Sequence, residues 1–230
     1  MGKNFFKTII TINEVDSTMD FSKKILTKVE PPFIVLADIQ KKGRGQHGRE
    51  WSSKKGGLWL TNVFKITNGI GLSTFFAIPI MRALRKYISD VQVKWPNDIF
   101  VSRKKLGGIL VEIREDFAFV GIGLNVQNEI PNEIKDTAIS LLDICKIGKR
   151  DLLNEIINQE EGLLPIFLKE GFKPFKEEYQ NNLILLNKDI WIQTDTLING
   201  KVIGVSDNGE LLLKCGSEVI TIINGTVKSF

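Results

Sequence analysis

The 230-residue sequence has one histidine, His47, and two cysteines, Cys145 and Cys215. The cysteines form no C-x-x-C pair, so neither a zinc site nor a redox dithiol has ligands to build on, and a reduced setting fits. A strong charge of one sign is also lacking. Lys and Arg number 31 against 27 Asp and Glu, a net charge of +4, too balanced for a protein committed to nucleic acid. No apolar run reaches the roughly 18 residues of a membrane span. The opening MGKNFFKTIITINEVDS lacks the small-residue cleavage pattern of a secretory leader. The chain therefore reads as cytoplasmic, with neither DNA nor a membrane among its expected partners. Internal repeats and low-complexity tracts are absent. What is present is an ordinary globular composition, 43% hydrophobic and 25% charged, enough for one sizeable core and a small second module.

The order of elements can be read from periodicity. A first strand is expected over Phe5–Ile12. Next, Ser17 precedes Phe21, Ile25 and Val29 at helical spacing, with Asp20 three residues on as in a capping box, so a helix starts near Ser17. PPFIVLADI (31–39) and LWLTNVF (58–64) read as strands. Leu72–Ile88 suits a core helix that Ser73 can cap and that Pro79 should begin or kink. Three strand-like runs follow, Val91–Val101, Leu106–Ile113 and Phe117–Val126, as an antiparallel meander. From Asp151, residues such as Leu152, Ile156, Leu164, Phe167 and Leu168 form an apolar helical face, interrupted by Gly162 and Pro165. A short helix is expected after Pro174 to Tyr179. From about Asn187 the chain becomes short, closely spaced strands around an Asp207-Asn208-Gly209 turn, which suggests a small barrel appended to an α+β domain.

GRGQHG (43–48) matches G-x-G-x-x-G. A dinucleotide loop needs a helix after the glycines, because the pyrophosphate sits on that helix's N-terminus, yet REWSSKKGG leads to another strand. A P-loop would need Lys-[Ser/Thr] where Arg49-Glu50 stands, and a kinase loop would need H-R-D and D-F-G segments that the chain lacks. A plain surface turn would carry the same glycines. The surroundings favour an anion: Arg44 and Arg49 offer planar forks, Lys41 and Lys42 add charge, and the glycines let the backbone close over a ligand. The meander holds Lys94, Asn97 and Asp98, then Lys105 before Gly107-Gly108. Such groups in an apolar sheet are costly to bury unless a ligand or partner satisfies them. GIGLN (121–125) again sets glycines before a polar residue within a strand.

In this order, behind an STxD helix start and ahead of a barrel segment, GRGQHGREW, KWPND, KLGGILVE and GIGLNV resemble the biotin protein ligases, also called biotin–acetyl-CoA-carboxylase ligases. The resemblance covers nearly the whole chain. It implies an α+β fold: a mixed, largely antiparallel sheet with helices over residues 1–186, like class II synthetases and biotin ligases, then an SH3-like β-barrel over 187–230. With no helix-turn-helix ahead of the first motif, the chain resembles the short, non-repressor form. It departs from the pattern at Gln46, where many members carry a second arginine.

The implied reaction has two steps. Biotin's carboxylate attacks the α-phosphorus of ATP to give biotinyl-5′-AMP and pyrophosphate, and a lysine of a biotin carboxyl carrier domain of a biotin-dependent carboxylase then displaces AMP. Positioning and charge stabilisation dominate such transfers. By resemblance, Arg44 holds the α-phosphate or carboxylate and Lys105 meets the reacting oxygens. Ser17, Thr18 and Gln40 contact the ureido ring, and backbone near Gly43, Gly108 and Gly121 lines the bicycle and tail. The nucleotide falls to Arg44, Gln46, His47, Gly48, Arg49, Trp51, Asn97, Lys105 and Asn125, with Trp51 flanking adenine. Mg²⁺ is expected mainly on the ATP phosphates, without a dedicated protein site. Lys94 and Asp98 are catalytic candidates. A neighbouring positive charge would help neutralise the attacking amine, and Asp98 could take its proton, pair with Lys94 or help hold Mg²⁺.

His47, in a loop without an evident partner, does not read as a catalytic base. The 41–49 loop, its cations repelling one another until an anion arrives, is expected to order over the ligand. A homodimer is compatible with the resemblance. Two other readings stay open, a lipoate–protein ligase or lipoyl transferase of the same architecture, and a non-enzymatic binding module.

Overall fold

The computed structural model describes residues 5–229. Its larger sheet has seven strands: β1 (Thr8–Val15), β2 (Phe33–Gln40), β3 (Leu58–Lys65), β4 (Val91–Lys94), β5 (Asp98–Val101), β6 (Lys104–Arg114) and β7 (Phe117–Leu124). They run in the order β1-β2-β3-β7-β6-β5-β4. Only β1 and β2 pair in parallel, and the helix α1 (Thr18–Ile25) makes the crossover between them. The first strand starts later than its apolar run suggested, because its register with β2 begins at Thr8↔Phe33 and continues to Val15↔Gln40.

Alternation along the strands serves two cores. Ile34 and Leu36 of β2 face the main core with Val120 and Ile122 of β7, while Phe33, Val35, Val63 and Phe119 face a smaller cluster under α1 with Met19. On the main side lie α2 (Leu72–Arg85) and α3 (Lys149–Glu170), locked together by Phe75 and Phe167, whose rings stack at 4.4 Å. Pro79 stays inside α2, and Gly71, not Ser73, occupies the cap. Gly162 and Pro165 do not interrupt α3 either. Both lie on its exposed side, so the missing donor is borne at the surface while Leu164 and Phe167 stay buried. Leu168, assigned to the apolar face, is instead exposed.

The run read as one strand, Val91–Val101, is a hairpin. Pro96 has no N–H to continue a ladder, and β4 turns into β5 so that Lys94 pairs directly across from Asp98. That reversal puts both side chains on one face of the sheet.

After α4 (Lys176–Asn181) come β8 (Asp189–Gln193), β9 (Leu197–Val205), β10 (Leu211–Cys215), β11 (Glu218–Ile222) and β12 (Thr226–Ser229), an antiparallel sheet ordered β11-β10-β9-β8-β12 of the SH3-like kind. It meets the β4–β5 turn through Trp95 Nε1, which donates to Gly209 O at 3.0 Å, and α4 through Val205 N, which donates to Gln180 Oε1 at 3.2 Å. No helix among the described residues is long and apolar enough to cross a membrane.

Candidate active site

Glycine makes the room. Gly121 and Gly123 of β7 alternate onto the face of Phe119, and a Cβ there would meet Met19 Cε at 3.0 Å and Trp51 Nε1 at 2.8 Å respectively. Above them opens a cavity of about 480 Å³, walled by the head of α1, the glycine loop, the β4–β5 hairpin and residues 225–227 of the second sheet. Of the residues singled out in the sequence, Ser17, Thr18, Gln40, Arg44, Gln46, Arg49, Trp51, Lys94, Asn97, Asp98, Lys105, Gly108, Gly121 and Asn125 line it.

Three residues expected to contact a ligand do not line it. Gly43 lies behind the wall: its carbonyl accepts from Trp51 N at 2.9 Å, and a Cβ would strike Trp51 O. His47 and Gly48 form the exposed tip of a short 3-10 turn, His47 at φ 56°.

Ser17 caps α1, its hydroxyl oxygen accepting from Asp20 N at 3.4 Å. Thr18 donates twice to Gln40 Oε1, from its backbone N at 2.8 Å and from its hydroxyl at 2.9 Å.

The cationic part of the wall is ordered around one carboxylate. Asp98 Oδ1 stands 2.7 Å from Lys105 Nζ, and that ammonium lies 5.1 Å from the centroid of the Trp51 ring. Asp98 is thus paired with Lys105, in addition to facing Lys94 across the hairpin. Burial pushes the Lys94 amine below the ordinary lysine range; Asp98 opposes that shift and Lys105 adds to it. The Asn97 amide is committed, donating to Ile109 O at 2.7 Å. Asn125 Oδ1 accepts from buried Asn128 Nδ2 at 2.9 Å.

The loop cations do not wait for an external anion. Lys41 pairs with Glu14 at 2.7 Å and Lys42 with Asp16 at 3.0 Å. Arg44 grips Asp20 with both arms, at 2.5 and 2.8 Å, and reaches Glu112 at 3.5 Å, while Lys23 bridges the same two carboxylates. This fork holds the Asp20 carboxyl below the usual carboxylate range. The picture of mutually repelling cations is therefore corrected, because β1, α1 and β6 supply carboxylates that no local spacing reveals. Gly123, one of the GIGLN glycines, also lines the wall, and Thr61 is a further wall residue outside the sequence reading; the one signal for Thr61 was a polar residue amid the apolar run LWLTNVF.

Known proteins share this architecture. The profile of the biotin/lipoate A/B protein ligase family matches residues 11–126. The bifunctional ligase/repressor BirA of Bacillus subtilis is 27% identical over 212 residues, covering 85% of this chain and 65% of that protein. The chain thus spans about 65% of the length of that relative. The biotin–[acetyl-CoA-carboxylase] ligase of Mycobacterium tuberculosis is 24% identical over 211 residues, covering 84% of this chain and 77% of that protein. The structure of the biotin protein ligase of Aquifex aeolicus in complex with biotin and ATP superimposes with a TM-score of 0.90 at 30% identity, covering 98% of this chain and all of that one. The chain belongs to the biotin/lipoate A/B protein ligase family, among its biotin protein ligases.

Proposed function

We propose that the protein is an ATP-dependent biotin protein ligase that forms biotinyl-5′-AMP and transfers biotin to a lysine of a biotin carboxyl carrier protein. The observation that carries this reading is one cavity lined both by the Ser17, Thr18 and Gln40 polar groups and by Arg44, Lys94 and Lys105. Uncharged hydrogen-bonding groups suit the ureido ring, and cations suit a carboxylate and a triphosphate. The catalytic part would comprise residues 1–186 and the barrel 187–230.

In the first step a biotin carboxylate oxygen bonds to the α-phosphorus. The bond to the bridging oxygen breaks, and pyrophosphate leaves with the electron pair. Lys105, pre-placed between Asp98 and Trp51, stabilises the charge that builds on the equatorial oxygens. Arg44 exchanges Asp20 for a substrate anion, the Trp51 face takes the adenine, and Gln46 and Arg49 border the phosphates. In the second step the carrier amine attacks the acyl carbon, AMP leaves, and Asp98 takes the amine's proton. Desolvation depresses Lys94 already, and an incoming lysine entering the same surroundings is driven toward its neutral, nucleophilic form.

Among the described residues, no three His, Cys, Asp or Glu side chains cluster as a metal cage. The donor set fits a Mg²⁺ that arrives on ATP, since such ions bind through one or two carboxylates plus substrate phosphates and keep several waters. Of the two carboxylates that line the cavity, Glu50 and Asp98, Asp98, beside Lys105, would touch it. The ion would supply charge neutralisation on the phosphates.

Mass spectrometry after incubation with biotin, ATP and Mg²⁺ tests the reading: biotinyl-5′-AMP is expected. Lipoyl-AMP from lipoate, with no product from biotin, would assign the protein to the lipoate ligases instead.

A further inference from the structure

Two hydroxyls, Thr61 in the cavity wall and Ser53 behind it, have no role in the reaction above. Thr61 in β3 is fully buried and Ser53 is 4% exposed, yet each touches a side chain placed on the ureido ring. Thr61 Oγ1 lies 2.9 Å from Thr18 Oγ1, which lies 2.9 Å from Gln40 Oε1. Gln40 Nε2 in turn lies 2.9 Å from Ser53 Oγ, and Ser53 Oγ 3.1 Å from Trp51 O. The chain of contacts runs unbroken from β3, through the head of α1 and the end of β2, to the strand-side end of the glycine loop.

Its ends fix the direction of every proton. A backbone N–H only donates and a carbonyl only accepts. Because Thr18 N–H points at Gln40, the amide oxygen of Gln40 must face α1 and its NH₂ must face Ser53. Ser53 therefore accepts from Gln40 and donates to the Trp51 carbonyl. The Thr18 hydroxyl donates to Gln40 Oε1, which leaves Thr61 as donor to Thr18. Hydrogen bonds aligned head to tail polarise one another, so the arrangement is stiffer than its separate links.

What remains for a ligand follows by elimination. Thr18 Oγ1 has its proton committed and presents a lone pair. Gln40 Nε2 keeps one N–H, and Ser17, whose oxygen accepts from Asp20 N, keeps its hydroxyl proton. That set complements a carbonyl flanked by N–H groups. A five-membered ring with no N–H would leave the Thr18 lone pair unmet.

We propose that Thr61 and Ser53 are positioning residues that act through Thr18 and Gln40 to hold the pocket in the one proton order that recognises a cyclic urea. This rests on the biotin ligase reading. Thr61 sets the Thr18 rotor and Ser53 sets the Gln40 amide; neither needs to touch the ligand.

Isothermal titration of the full chain with biotin, desthiobiotin and ATP tests this, in the wild type and in Thr61→Val, Thr61→Ser and Ser53→Ala. Loss of the Thr61 hydroxyl removes one buried hydrogen bond and frees the Thr18 rotor, and on the scale of one such bond the expected loss of affinity is about tenfold. Thr61→Val should lose it equally for biotin and for desthiobiotin, which keeps the urea and lacks the sulfur. ATP affinity and melting temperature should stay near wild type, the KM for biotin should rise with kcat nearly unchanged, and Thr61→Ser should restore binding. Ser53→Ala, acting on the Gln40 side, gives the same pattern and serves if Thr61→Val does not fold. Wild-type biotin affinity in both Thr61→Val and Ser53→Ala, or equal loss of biotin and ATP affinity, would overturn the proposal and leave the ligase reading standing. A wild-type protein that binds ATP and no biotin would refute the ligase reading itself.

Discussion

Lys105 Nζ stands 2.7 Å from Asp98 Oδ1 across the register break between β5 and β6. The bond fixes the ammonium in the cavity wall before any substrate arrives, with the Trp51 ring as its second support. A cation already in place does not have to reorganise as charge develops, which is where such groups contribute most to rate. Lys105→Ala should therefore lower adenylate formation by about 10²- to 10³-fold, the range for loss of one preorganised donor. Circular dichroism should show the fold intact. A folded variant with wild-type rates would remove Lys105 from the chemistry.

On the proposed reading, the Arg44–Asp20 pair is a latch that substrate must open. The pair is partly exposed, each side chain 37% accessible, so it contributes on the scale of surface ion pairs, roughly 0.2–1 kcal/mol. Asp20→Asn frees the fork without touching the hydroxyl cap of α1. Retention of biotinyl-5′-AMP should lengthen by about two- to fivefold, read from the adenylate off-rate. Faster release would mean that Asp20 positions Arg44 for the ligand and does not compete with it.

Glu160 in α3 should govern how stability depends on pH. Its side chain is fully buried, accepts from Asn62 Nδ2 at 2.9 Å, and leaves Glu160 Oε1 and Asn62 Oδ1 both unpartnered as acceptors. Burial pushes its pKa from 4.5 to about 8, and protonation supplies a donor where two acceptors lack one. Between those values the unfolded chain releases the proton while the native state keeps it. This contribution is thus complete below pH 4.5 and is lost toward pH 8, with a slope of about −1.4 kcal/mol per pH unit. Glu160→Gln, whose amide can both donate to and accept from Asn62, should remove that slope. Urea melts of both proteins at several pH values within this window check it, and curves that stay parallel would contradict the assignment.

Gln46, on the cavity wall, offers phosphate a neutral amide where an arginine would make a charge-assisted bond. Gln46→Arg should slow escape of the adenylate and reduce stray labelling of exposed lysines. An arginine variant that releases it as fast as the native protein would show that this wall position does not hold the phosphates.

Much of the site was legible because its chemistry is written in single residues. The glycines of GIGLN signal an open floor, and Lys94, Asp98 and Lys105 stand out in an apolar sheet. The hidden parts are relations across long stretches of chain. Nothing local joins Arg44 to Glu112 or Thr61 to Thr18, since such partners are set by which strands lie side by side. The β4–β5 reversal was concealed because VQVK and DIFV share one apolar texture, and only Pro96 marks the break. In α3, propensity placed an interruption at Gly162 and Pro165 that burial of Leu164 and Phe167 overrode.

Exchange of labelled pyrophosphate into ATP bears most directly on the ligase assignment, because it requires a reversible adenylate and no carrier protein. Exchange that appears only with biotin and Mg²⁺, is not supported by lipoate, and falls in Lys105→Ala is the predicted result. Exchange independent of biotin, or none in a protein shown to bind both biotin and ATP, would contradict it.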